Sequence, residues 1–509
     1  MGSACALAGC VPGALAGAAF AGAPFGGQRS VFRAWVRKLA RFIVGEGADN
    51  NTRGRACYPA HTARVGRVYF GRRYHAKRLS SSRLHLPALP PSKFLPILRA
   101  LRVFVVQKMR GSPGKGLGDH GARGLHGALH VFTQRQRQRR MTWDYLIVGA
   151  GFSGAVLAER LASQRGSTCL VIDRRDHIGG NAYDKRDAAG VIIHPYGPHY
   201  FRTNSDRVIE YLSQFTAWHP VEYKVLSWTH GQHWQFPINL NTFEQLLGRA
   251  STSEEMERTL AEWRVPIASP RNSEEVIVSQ VGWRLYEMFF KNYTRKQWRR
   301  DPSDLDPSVC GRIPVRTNRD DRFCEEKFQA LPRDGYAAMF AKILTHPKIE
   351  VRLRADFREV RQQVRYKRLI YTGPVDEYFD RCDGALPWRS LRFETETLNV
   401  EYSQPAMQVN FPNDHDYTRV VEMKHATGQK LPVTTIVREF PQDYAPGLEP
   451  YYPIPAPDAR ALYAKYAARA AAERDVTFVG RLATYRYYNM DQCVAAALAE
   501  FEKLAPLSA

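Results

Sequence analysis

The sequence predicts an α/β fold: a parallel-sheet domain interrupted by a helical insertion and by an antiparallel β-sheet domain. Three observations predict it. "DYLIVGAGFSGAVLAERLASQRGSTCLVID" reads as strand, glycine turn, helix, strand. Helical periodicity then dominates between residues 241 and about 300. Beyond that come short alternating segments, and the chain closes on "TFVGRLATYRYYNMDQCVAAALA", a further strand, glycine and helix.

The first unit carries a specific physical logic. Residues 145–148 are an apolar strand, and Gly149, Gly151 and Gly154 follow as GxGxxG. Gly149 permits the tight turn, Gly151 lets a pyrophosphate approach the backbone, and Gly154 allows the helix to pack closely. The helix over 155–164 then offers free N–H groups and a positive dipole end to phosphate oxygens. Residues 169–172 form the second strand. Asp173 at its end is placed to accept hydrogen bonds from ribose hydroxyls.

NAD and FAD share this fingerprint, and two later features favour FAD. Gly179, Gly180 and Asn181 supply a second glycine turn just beyond the acid. The last helix, starting near Met490, aims its N-terminus where it can polarise the pyrimidine edge of a flavin. The predicted first domain is therefore a Rossmann-like FAD-binding domain, discontinuous over about 141–220, 330–390 and 445–509.

The helical insertion is expected over about 240–305. "TSEEMERTLAEW" at 252–263 reads as an amphipathic helix with a capping-type start. Val276, Val278, Val281, Leu285, Met288 and Phe289 recur at helical spacing and read as core. Strand-like alternation follows at 323–328, 348–353, 367–371, 406–411, 418–423 and 434–440, and a scaffold helix at 457–474. The antiparallel substrate domain is expected over about 220–240, 306–330 and 390–445.

Of the formal net charge of +23, residues 1–140 carry +22, with 25 of the 73 basic and 3 of the 50 acidic residues. The basic balance is thus a property of that segment, and the nearly neutral body offers no nucleic-acid signature. Segment 1–140 reads as a disordered extension, as sequence upstream of a start at Met141, or as a targeting segment. A nucleic-acid arm fits least, because aromatics are not interleaved with its basic residues. The eight cysteines form no CxxC pair, which argues against zinc and dithiol chemistry and for reduced thiols in a cytoplasmic protein. No stretch has the ~18 uninterrupted apolar residues of a membrane span.

Several stretches, kept in order from about Tyr145 to the C-terminus, carry a joint resemblance: "IDRRDHIGGNAYD", "HPYGPHYFRTN", "FPINLNTF", "LYEMFFKNYTRKQW", "GRIPVRTN", "YTGPVDEYFD", "DYTRVVEMKH", "EPYYPIP" and "VGRLATYRYYNMD". They resemble the bacterial UDP-galactopyranose mutases. The resemblance implies an isomerase that interconverts UDP-galactopyranose and UDP-galactofuranose for cell-surface polysaccharide. It implies reduced FAD as cofactor, a flavin N5–sugar adduct, no net redox change, an external reductant (NAD(P)H or a reductase) and a homodimer.

By the same resemblance, Arg312 and Arg419 act on the diphosphate and are catalytic, together with His199 at the flavin. Arginine suits this task because its planar fork donates paired charge-assisted hydrogen bonds. Tyr452 and Tyr487 are expected to donate to phosphate oxygens. Phe289 and Tyr293, at i and i+4, are expected to stack the uracil, with Thr294 on the base. Trp298 is expected beside a mobile loop and Asn410 near the uridine or sugar, with Tyr223 and Phe323 completing the substrate site. Without the resemblance, such an aromatic stripe reads as core.

The cofactor set implied is Gly149, Gly151, Phe152, Ser153, Gly154, Asp173, Arg174, Gly180, Asn181, His199, Tyr200, Asp356, Phe357, Arg481, Tyr488, Asn489, Met490, Asp491, Gln492 and Cys493. Four positions depart from the pattern: Phe323 for a tyrosine, Tyr223 for an asparagine, Arg202 for a histidine and Asn489 for an aspartate. They bear on affinity and sugar preference more than on reaction class. The competing reading is an FAD-dependent oxidoreductase of the amine-oxidase or desaturase type, which shares both glycine motifs.

Overall fold

A computed structural model describes residues 142–507; the expectations for 1–140 lie outside the described residues. A five-stranded sheet forms in the order Ile349–Leu353, Cys169–Asp173, Thr142–Val148, Arg365–Tyr371, Val476–Phe478. Every pairing in it is parallel. Tyr145, Leu146 and Ile147 are fully buried, as a central parallel strand covered on both faces requires. Helix Phe152–Arg165 packs on one face against the closing helix Met490–Lys503, through Leu157, Leu161, Val494 and Leu498.

Gly154 is where the turn and the helix meet. A Cβ there would lie 2.0 Å from the Gly149 carbonyl oxygen, which is backbone and cannot swing aside. Gly149 has φ +102°, and a Cβ on it would sit 2.1 Å from Thr372 Oγ1. Gly154→Val is expected to force the turn open and lower the melting temperature of the protein; thermal unfolding of the variant against the parent checks this.

The second sheet has seven strands, in the order Tyr452–Pro453, Trp388–Leu398, Thr434–Asp443, Arg419–Val421, Gln408–Asn410, Val225–Thr229, Gln232–Phe236. It is antiparallel except where Gln408–Asn410 runs parallel to Val225–Thr229. A small third sheet joins Phe201–Thr203, Phe328–Pro332 and Trp218–Pro220. The helices Leu240–Leu247, Ser253–Trp263 and Ser273–Tyr286 start on Asn239, Thr252 and Asn272, whose side chains accept from the N3 amides. Met256, Leu260, Ile277, Val281 and Leu285 fill the core between them.

Three details differ from the sequence reading. Residues 323–327 are not a strand. Gln329 Nε2 donates to the carbonyls of Cys324 (3.0 Å) and Glu326 (3.1 Å), so a side chain satisfies groups that a ladder would have used. The strand begins only at Phe328, and it joins the small sheet, so 306–330 adds no strand to the large antiparallel sheet. Conversely, Tyr452–Pro453 lies in the range expected for the FAD domain but pairs with Trp388 and Arg389 on the edge of the seven-stranded sheet.

Candidate active site

A single cavity of ≈ 810 Å³ is lined from the parallel sheet, the helical region and the seven-stranded sheet, near the upper end of the range for small-molecule sites. All the residues implied above for substrate and cofactor line it except two. Gly154 lies behind the turn, packed on the Gly149 carbonyl. Asp491, in the first turn of the closing helix, does not line it, and Thr203 of the small sheet helps hold its carboxylate down against the burial that raises it.

One end of the cavity is a dinucleotide cradle. The backbones of Gly151 and Gly180 face each other so closely that a Cβ on Gly180 would lie 3.0 Å from Gly151 Cα. Gly151 is the N-cap of helix Phe152–Arg165 and offers no side chain to the first-turn amides, which stay free for an anion. Asp173 Oδ2 accepts from the Ala150 amide and Oδ1 from the Arg175 amide, both at 2.9 Å. That fixes the carboxylate and leaves lone pairs for ribose hydroxyls. Asp356 caps the short helix Phe357–Val360. Asn489 stands at the N-cap of the closing helix, its amide donating to Gln492 Oε1 at 2.9 Å, and Met490, Gln492 and Cys493 of the first turn line the cavity. The groove, the free amides and the anchored acid fit a dinucleotide.

The other end is cationic and aromatic. The Tyr452 and Tyr487 rings stack at 5.4 Å, with Trp298 at 6.1 and 6.2 Å from them. Arg312 Cζ lies 4.7 Å above the Tyr487 ring, and Arg481 Cζ 5.7 Å from the Tyr452 ring. Burial pushes the Tyr487 phenol up, but Arg312 first, then Arg481 and Arg419, outweigh it and draw it below the usual phenol range. Arg419 donates from Nε (2.9 Å) and Nη2 (2.7 Å) to Glu439 Oε2. Against its burial, that carboxylate holds the guanidinium well above its usual range. Arg312 differs: burial works against its charge, Tyr487 and then Tyr452 and Cys310 support it, and among the described residues no carboxylate forms an ion pair with it.

The aromatic stripe is shaped by a feature the spacing hid. Helix Ser273–Tyr286 runs into a π-helical turn, Glu287–Lys291, before helix Asn292–Trp298. The wider turn brings Phe290 to the cavity as well as Phe289 and Tyr293. Thr294 Oγ1 lies 3.5 Å from Cys310 Sγ, and Asn410 Oδ1 accepts from Gln408 Nε2 at 2.7 Å. Tyr223 stacks on Tyr200 at 4.4 Å and donates to Gln408 Oε1 at 2.5 Å. Phe323 packs 5.1 Å from Tyr223.

His199 Nδ1 is 2.7 Å from the Gly197 carbonyl oxygen, which can only accept, so Nδ1 carries the proton and Nε2 keeps its lone pair. The His199 amide donates to His194 Nδ1 at 3.1 Å. Burial pushes both imidazoles down to about 3. The unfolded imidazoles take up protons below about pH 6.5 and the folded ones refuse them until about pH 3. Stability is therefore full above pH 6.5 and falls through that window, by up to about 1.4 kcal/mol per pH unit for the buried His194. Urea unfolding at pH 7.5, 6 and 5 checks this, with His194→Gln expected to flatten the dependence.

Sequence reasoning missed Arg175, Tyr371, Thr372, Pro374, Glu377, Gln408 and Glu449 on the cavity wall. Thr372 directly follows the fourth strand of the parallel sheet in chain order, and all of these except Gln408 lie inside the stretches that carry the resemblance. Among the described residues no helix is long and apolar enough to cross a membrane.

Residues 288–487 match the family model described as UDP-galactopyranose mutase, and residues 147–215 match that of an NAD(P)-binding Rossmann-like domain. The chain is 39% identical over 358 residues to a probable UDP-galactopyranose mutase of Klebsiella pneumoniae, covering 70% of this chain and 93% of the relative. It is 35% identical to a dTDP-fucopyranose mutase of Escherichia coli, covering 69% of this chain and 96% of the relative. A crystal structure of reduced UDP-galactopyranose mutase superimposes with a TM-score of 0.57 at 18% identity, over 71% of this chain and 95% of that one, a likeness of fold. With a cofactor-type cradle, an arginine–tyrosine end and these relatives, the chain belongs to the UDP-galactopyranose mutase family.

Proposed function

We propose that the protein binds FAD and, with the flavin reduced, interconverts UDP-galactopyranose and UDP-galactofuranose without net redox change. The observation that carries this reading is the union of a dinucleotide cradle and a cluster of Arg312, Arg419 and Arg481 in one cavity. Reduced flavin, when bound, supplies the electron-rich nitrogen that acts as nucleophile toward the anomeric carbon.

The chain's own residues supply the rest. Arg312 and Arg419 take the charge of the released diphosphate, and Tyr452 donates its hydroxyl to a phosphate oxygen. Phe289, Tyr293 and Phe290 offer faces to the pyrimidine. His199, neutral, presents Nε2 as an acceptor on the cofactor side. NAD(P)H or a reductase is the external electron source.

The test is a product assay on protein reduced with dithionite and on the same protein oxidised. UDP-galactofuranose turned into UDP-galactopyranose only by the reduced form is expected, and equal activity when oxidised overturns the reading. The dTDP-fucopyranose mutase relative makes the thymidine nucleotide the natural second substrate to assay. Faster turnover of dTDP-fucopyranose would reassign the sugar while keeping the chemistry.

A further inference from the structure

The loop between strands Thr434–Asp443 and Tyr452–Pro453 belongs by sequence and pairing to the seven-stranded sheet. It nevertheless reaches the mouth of the dinucleotide cradle through one side chain, Glu449, which lines the cavity. There Glu449 meets the two arginines that directly follow Asp173. Its Oε2 accepts from Arg175 Nη2 at 2.8 Å and from Arg174 Nη2 at 3.0 Å, and Oε1 from Arg175 Nε at 3.4 Å.

Arg175 is itself held on every side. Its Nη2 also donates to Asn181 Oδ1 at 2.7 Å, in the second glycine turn, and its guanidinium lies 4.4 Å over the Tyr196 ring. Its backbone amide is one of the two that anchor Asp173. Arg174 has a second carboxylate, Glu377, at 3.8 Å. The Arg175 side chain is 14% exposed, so this is a half-buried network of fixed donors and not a lone surface pair.

We propose that Glu449 is a cofactor-retaining residue: from the antiparallel sheet it clasps Arg174 and Arg175 across the adenosine end of the cradle, and the dinucleotide leaves only when this clasp opens. The inference rests on the reading that the cradle holds FAD. Glu377, from the parallel-sheet domain, approaches only Arg174, so Glu449 is the carboxylate that joins both arginines, and Tyr452, at the cationic end, lies three residues further along the same segment. The strap that closes on the cofactor therefore also carries a residue of the substrate end.

The test uses the full chain loaded with FAD and follows the rise in free-flavin fluorescence after dilution. Glu449→Gln is expected to release FAD five- to tenfold faster, while the melting temperature of the flavin-stripped protein stays unchanged, which a merely structural role would not allow. Raising NaCl to 1 M is expected to speed release from the parent protein and to leave the variant little changed. Arg174→Gln, a second route to a broken clasp, is expected to act in the same direction. Release at equal rates from the parent and both variants, with flavin bound in all, overturns the clasp alone. A parent protein that takes up no FAD overturns the cofactor reading, and the clasp with it.

Discussion

Arg312→Ala is expected to lower kcat of the reduced enzyme by about 10²–10³-fold, with the flavin still bound and the fold intact. The guanidinium stands in the cavity wall at the end of the short helix Ser308–Gly311, over the Tyr487 ring at 4.7 Å. Among the described residues no carboxylate forms an ion pair with it, and Tyr487 is the group that most supports its charge. On the proposed reading its charge is therefore available to a diphosphate, which becomes more negative when the bond to the sugar breaks. A charge whose contact strengthens as the leaving group departs lowers the barrier to that step. Removing the side chain gives up its contact with Tyr487 but strands no ion-paired carboxylate, so the loss appears mainly in turnover and little in stability. Steady-state kinetics with thermal melting checks both halves, and a variant whose melting point falls while kcat holds would contradict the assignment.

Arg419→Ala is expected to behave differently, costing about 3–5 kcal/mol of stability besides activity. Glu439 is buried to 1% side-chain exposure; its Oε2 takes both hydrogen bonds from Arg419 and its Oε1 has no partner at all. Deleting Arg419 leaves a carboxylate charged in a dry interior. The double variant Arg419→Met with Glu439→Gln is expected to recover most of the stability and none of the activity, because it removes the stranded charge without restoring the cation. Urea unfolding of the single and double variants, alongside the product assay, separates the two effects. The two arginines that sequence resemblance treats alike are thus distinguished by what lies behind them.

Much of the parallel-sheet unit was legible in the chain, because its signals are local. The run from Thr142 to Asp173 carries its own apolar strands, glycines and acid in fixed order, and steric needs at Gly149 and Gly154 leave little choice. The cap at Thr252 was readable for the same reason: a cap is a bond to an amide three residues away.

What escaped the sequence depends on partners far along the chain. The loop at 323–327 failed to become a strand because Gln329 captured its carbonyls, and the π-helical turn at Glu287–Lys291 shifted a stripe that ideal helical spacing had placed. Glu449 met Arg175 across a separation of 274 residues, and Glu439 came to lie under Arg419 through sheet register. Residue types and short-range geometry thus determined the cradle and nominated the arginines. Which of those arginines is free, which is neutralised, and which carboxylate closes the cradle was decided only by tertiary packing, because the energy of a charge depends on the groups that the fold brings within a few ångströms of it.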